Sequence, residues 1–247
     1  MEVHAHSHTA RKKWTHYFWE FLMLFLAVFC GFLAENFREH QVEKAKAKQY
    51  IFSFYDDLKR DTATFSWIIV ANELKDKAFD DLFKCYDTIR ANWRSTSCLI
   101  KLVKNSRFNI SVTFSNGTIQ QLKNAGGYRL LQDPDRDSIM AYDNSIQEYK
   151  DFESTVFQES QDIVRNTFSM VGDFTANRFL SRGLAGADST HTEMPLLFSD
   201  DKSLLNKYFN DLLRYKNANR NQVSQIKLRM VKAVSLLAYF KIKYHLQ

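Results

Sequence analysis

The sequence predicts an all-α protein: an N-terminal transmembrane helix continuing into a stalk and an elongated helical bundle. Three observations carry this. Only seven glycines and two prolines interrupt 247 residues, a scarcity that favours helix over turn-rich architectures. Apolar residues recur every three or four positions over four long tracts. One apolar run near the N-terminus is long enough to cross a bilayer. The expected organisation is a His-rich basic tail (1–13), a transmembrane helix (14–35) and a helical stalk and bundle domain (36–247).

Between Phe21 and Ala34 no residue is charged, and from Trp14 to Ala34 only Thr15, His16 and Glu20 are strongly polar. At a rise of 1.5 Å per residue, about 20 residues cross a hydrocarbon core of roughly 30 Å. Trp14, Tyr17 and Trp19 crowd one end, where amphipathic rings favour the interface. Arg11, Lys12 and Lys13 also resemble the basic region of a cleaved signal peptide, but the cleavage pattern fails. Phe32 stands two before Ala34, and Phe29 precedes Cys30. The run is therefore expected to be retained. The chain has no second apolar run of that length, since "AVSLLAYF" is short and flanked by Lys232, Lys241 and Lys243.

Within the span, Glu20, Leu24, Ala27, Gly31 and Ala34 share one helical face with His16. Ala27, Gly31 and Ala34 are small, and such residues let transmembrane backbones approach closely. Leu24, Ala27, Gly31 and Ala34 are thus expected to form an oligomerisation face, with His16 and Glu20 as a polar contact or pore lining beside it. The competing reading has Glu20 snorkelling to the headgroups.

The first tract after the span carries Ile51, Phe54, Leu58, Phe65 and Ile69, and the second Leu74, Phe79, Leu82, Phe83, Tyr86 and Ile89. The third steps through Ile139, Tyr142, Ile146, Tyr149, Glu153, Val156, Ser160, Ile163, Thr167, Met170 and Phe174. The last places Leu205, Tyr208, Leu212, Val223, Ile226, Met230, Val234 and Leu237 on one stripe. Stripes of this kind are the cores of helical bundles. Two segments break the rhythm. In "SRFNISVTFSNGTIQQLKNAGGYRLL", Phe108, Ile110, Val112 and Phe114 alternate like a strand, and Asn116-Gly117 suits a hairpin turn. A short helix is the stronger reading of the second half: Thr118 and Gln121 form a capping box, and Gly126-Gly127 stops it with Gly127 left-handed. "SRGLAGADSTHTEMPLLFSDD" reads as a loop.

Motifs with chemistry are sparse. No HExxH, GxSxG, P-loop or GxGxxG pattern occurs, and no enzyme is expected. "DPDRD" (Asp133, Asp135, Asp137) spaces its acids like a calcium loop but lacks the glycine and the twelfth-position acid, so a helix start is favoured. Cys85 and Cys98 pair if the chain turns at "NWRST", and stand about 19 Å apart if the helix continues. His4, His6 and His8 alternate in the tail and form a candidate transition-metal site, set against a polar tail without a ligand. No other cofactor is implied. The net charge of +6 is dispersed among acids, which speaks against nucleic acid as a partner.

"MEVHAHSH", "RKKW", "EFLMLFLAVFCGFLAENFREH", "DLKRDT", "QLKNAGGYRLL", "AYD" and "KYHL" together resemble a family of uncharacterised single-pass membrane proteins of Bacteroidota-type Gram-negative bacteria. The resemblance implies an N-terminal anchor and an α-helical domain, and no activity.

The functional expectation is a membrane-anchored helical binding or scaffolding module, acting as an oligomer in the inner membrane with its C-terminal domain periplasmic. Its partners are the membrane, further copies of itself and another membrane protein. Arg11, Lys12 and Lys13 set this orientation, although Arg38, Lys44, Lys46 and Lys48 compete on the other flank. The alternative is an oligomeric ion channel or proton path with Glu20 facing the axis. A metal-handling role for the tail ranks third.

Overall fold

The structure is a computed structural model that describes residues 14–91, 110–173 and 201–246, Arg90 by its backbone alone. It forms two compact units, Met1–Tyr50 and Ile51–Gln247. Helix α1 (Trp14–Ala91) contributes to both. There follow α2 (Gly117–Asn124), a 3-10 turn (Gly127–Leu130), α3 (Asp133–Phe152), a π-turn (Glu153–Phe157), α4 (Gln158–Val171) and α5 (Lys202–Tyr244). No strand occurs among the described residues, and the all-α expectation holds.

The described part of the first unit is helix alone. Gly31 is its one glycine, and α1 has no proline to break it. In the second unit, α1 buries Ile51, Phe54, Leu58, Asp61, Phe65, Ile68, Asn72, Lys75, Phe79 and Leu82. These alternate steps of three and four without a gap, the spacing that keeps one face of a helix against its neighbours. On α5 the same rhythm runs through Leu205, Tyr208, Leu212, Tyr215, Asn219, Gln222, Ile226, Arg229 and Ala233. Full burial of each large apolar member contributes roughly 1.5–3 kcal/mol.

At one end, Phe54 meets Tyr142 and Phe240 edge-on, with centroids 5.9 and 5.8 Å away. At the other, Phe79, Leu82 and Ile89 of α1 pack with Phe157, Phe168, Val171, Tyr208 and Leu212. Asp201 caps α5 by accepting from the amides of Ser203 and Leu204 at 2.8 and 3.3 Å. "DPDRD" is the first turn of α3, with Pro134 at its start and Asp133 and Asp135 in the first turn.

Several expectations are corrected. Ile68, not Ile69, is the core residue, and Leu74 and Val234 are exposed. The π-turn adds one residue to the α3–α4 stripe and rotates the helix beyond it, so Phe157 is buried in place of Val156, and Val171 in place of Met170. Residues 110–116 keep the expected alternation, with Val112 and Phe114 buried and Ser111 and Thr113 exposed, but lie on helices rather than in a sheet. Phe114 sits between the rings of Phe65 and Tyr149, at 5.6 and 5.4 Å.

The Thr118–Gln121 capping box does not form. Asn116 takes the cap position without a side-chain bond, and the Thr118 amide donates instead to Asp57 of α1 at 3.2 Å. Gly126 holds the left-handed conformation, at φ +62, while Gly127 opens the 3-10 turn. Phe108, Cys98, Phe174 and most of the expected loop beginning at Ser181 lie outside the described residues.

Candidate functional site

In the first unit, one helix is long and apolar enough to cross a membrane, and none of its apolar stretch is buried by the chain. Each large side chain left in water forgoes roughly 1.5–3 kcal/mol. Its periodicity puts the expected polar pair together: His16 Nε2 lies 2.9 Å from Glu20 Oε1. Leu24, Ala27, Gly31 and Ala34 are all exposed, and a Cβ added at Gly31 meets nothing within 4 Å. Phe21, Phe25 and Phe29 stack along the helix at 6.3 and 5.9 Å. His4, His6 and His8 lie outside the described residues, and among the described ones no group of His, Cys, Asp or Glu is placed to hold a metal ion.

In the second unit, the stripes of α1 and α5 carry polar residues at core positions, and these form a buried seam. At one end Asp135, fully buried, accepts from Lys243 Nζ at 2.7 Å, Tyr239 Oη at 2.8 Å and Tyr244 Oη at 2.5 Å. Burial alone raises its carboxyl, but the bonds from Lys243, Tyr244 and Tyr239 outweigh it and hold Asp135 below its ordinary value. Asp61 accepts from Tyr142 Oη and the Ser115 amide, each at 2.7 Å. There burial prevails over the bonds and the carboxyl is raised. Lys123 of α2 reaches Asp143 of α3 at 2.5 Å. Asp57 and Asp61 thus satisfy backbone donors of a segment that has no partner strand.

Further along, Arg229 Nε donates to the Ser145 carbonyl at 3.0 Å. Gln222 Nε2 donates to Tyr149 Oη at 3.0 Å, and Asn219 Nδ2 to the Asn72 carbonyl at 3.0 Å. Beyond them Lys75 Nζ donates to Tyr215 Oη at 2.5 Å and lies 4.3 Å from that ring's centroid and 5.5 Å from that of Phe157. Burial pushes the Lys75 ammonium down to about 7. Four amide atoms of the seam, Asn72 Oδ1 and Nδ2, Asn219 Oδ1 and Gln222 Oε1, are buried without a hydrogen-bond partner. A buried group of this kind left without any partner costs about 1–3 kcal/mol.

Sequence reasoning missed this seam. Its signal is nevertheless present: Asn72 and Lys75 fill the steps between Ile68 and Phe79, and Tyr215, Asn219 and Gln222 fill the gap between Leu212 and Ile226. A stripe read through apolar residues alone passes over them. Cys85 is disulfide-bonded, whereas Cys30 is free and exposed. Comparison with protein-family models, curated proteins and solved structures returns no match.

Proposed function

We propose that the chain is a membrane-anchored binding or scaffolding module without catalytic activity, acting as an oligomer in the inner membrane with its second unit periplasmic. The observation that carries this is the bare apolar helix. Its Ala27, Gly31 and Ala34 face is open, and close approach of a second such helix would cover it. The bundle adds exposed Trp67, Val70 and Leu74 on α1 and Leu228 and Val231 on α5, a surface suited to a protein partner. The disulfide at Cys85 supports the orientation, because such bonds persist in oxidising compartments.

Gly31→Ile tests the assembly. In lipid nanodiscs and mild detergent the parent chain should cross-link as an oligomer, and the variant should fall to monomer because the branched side chain separates the backbones. A parent that is monomeric in both media refutes the reading.

The His16–Glu20 pair favours a second reading, an ion or proton path with Glu20 on the axis. Cation flux into liposomes separates the two. A path conducts in the parent and loses cation selectivity in Glu20→Gln, and a scaffold conducts in neither.

A further inference from the structure

We propose that the cleft between α4 and α5 binds a small amphiphilic carboxylate, with an aromatic or short aliphatic body and a single anionic head. The inference rests on reading the bundle as a binding module and supplies the ligand class. The cleft encloses about 300 Å³, the lower end of the range for small-molecule sites. Val164 and Phe168 of α4 and Leu212 of α5 give it apolar walls, and Tyr215 closes one side. These surfaces suit the body of the ligand.

The polar groups define the head. Gln161 lines the cleft, is 6% exposed, and its side chain makes no hydrogen bond with any described residue. Its amide reaches the solvent of the cleft rather than being sealed in without a partner, which leaves Nε2 placed to donate to a carboxylate oxygen. One turn further, Arg165 lines the same cleft with a side chain 64% exposed, which sets the guanidinium at the mouth. Its Nη1 donates to Asp162 Oδ1 at 3.0 Å. The remaining nitrogens face no described carboxylate partner and suit the planar geometry of a second one.

The charge also acts inward. Burial raises the Tyr215 phenol, and Arg165 opposes that rise. Behind Tyr215 stands Lys75, hydrogen-bonded to its hydroxyl. An anion in the cleft therefore meets Arg165 directly and Lys75 through one phenol, against the acids of the Asp162 and Glu159–Arg214 pairs on the outside of α4. The π-turn is what turns Gln161, Val164 and Phe168 towards α5, and insertions of this kind are frequent at functional sites in helices.

The test uses the full chain in lipid nanodiscs, with empty nanodiscs as the blank. 3-Phenylpropionate and its uncharged match 3-phenylpropanol are titrated by saturation-transfer NMR. The acid should bind about tenfold tighter than the alcohol, the factor expected of one charge-assisted hydrogen bond. Arg165→Gln, a change at an exposed position, should abolish that preference, and Val164→Trp should block both probes by filling the cleft. Equal binding of acid and alcohol overturns the proposal, as does an unaltered preference in Arg165→Gln, or no binding of the acid at millimolar concentration. Should Val164→Trp fail to fold, Arg165→Gln and Gln161→Leu decide. Cross-linking of the same samples separates this result from the scaffold reading: assembly without acid binding removes the cleft assignment alone.

Discussion

Asp135→Ala should be among the most destabilising single changes in the bundle. The carboxylate receives three donors, from Lys243, Tyr239 and Tyr244, and bonds to a charged group contribute about 1.5–3 kcal/mol each. They are not additive, because the alanine variant frees Lys243, 27% exposed, to find water, whereas the Tyr244 hydroxyl loses its acceptor. Truncating one partner of a buried pair costs about 3–5 kcal/mol. With roughly 2–4 °C per kcal/mol for a domain of this size, the melting temperature should fall by about 6–20 °C. The assay is a far-UV circular dichroism melt of the full chain in nanodiscs. A cycle with Lys243→Met should show coupling of at least about 0.5 kcal/mol. Because Asp135 is held below its ordinary value, its contribution is present above the unfolded carboxylate pKa of about 3.9 and is lost as pH falls from there through the folded value. The variant should therefore lose part of the parent's acid sensitivity below about pH 4. A loss under about 1 kcal/mol, or strict additivity with Lys243→Met, refutes the reasoning.

Two glycines give opposite expectations under the same melt. Gly126→Ala should cost about 1–2 kcal/mol, because φ +62 is left-handed, while Gly117→Ala at the start of α2, where a Cβ meets nothing within 4 Å, should be neutral or slightly stabilising. For Lys75, with its folded pKa near 7 against an unfolded value of about 10.4, the unfolded chain holds more protons between those limits, so parent stability should rise from pH 7 to about pH 10. Lys75→Met should flatten that rise when urea midpoints are measured across the range.

The helical class and the apolar run are legible in the sequence because both depend on local composition: scarce glycine and proline, and an uncharged stretch from Phe21 to Ala34. The α2 cap is not. Thr118 has the spacing of a capping box, but the acceptor its amide finds in place of Gln121 is the buried carboxylate of Asp57, 61 residues away on another helix. Local rules rank only local partners. The two-glycine stop is readable too, yet which glycine is left-handed depends on the turn after it, a 3-10 turn beginning at Gly127.

The cleft is hidden for a geometric reason. A strict three-four count from Tyr149 gives Glu153, Val156, Ser160, Ile163 and Thr167, and would turn Val164 and Phe168 away from the core. The π-turn at Glu153–Phe157 adds one residue to the helical repeat, and an added residue advances the face by about 100°. Ser160 and Thr167 stay buried at the edge of the shifted face, while Gln161, Val164 and Phe168 come round to line the cleft. Locally, Ser154 and Thr155 both donate to the Asp151 carbonyl, at 3.0 and 2.7 Å, but such back-bonding is common in regular helices, and the remaining contacts are mostly tertiary. Glu153 accepts from the Val112 amide at 3.4 Å and from Tyr149 Oη at 3.5 Å, and Phe157 packs on Tyr215 with centroids 5.6 Å apart. The turn that builds the cleft is thus held by tertiary contacts to residues 110–116 and α5, and a periodicity count along one helix cannot register it.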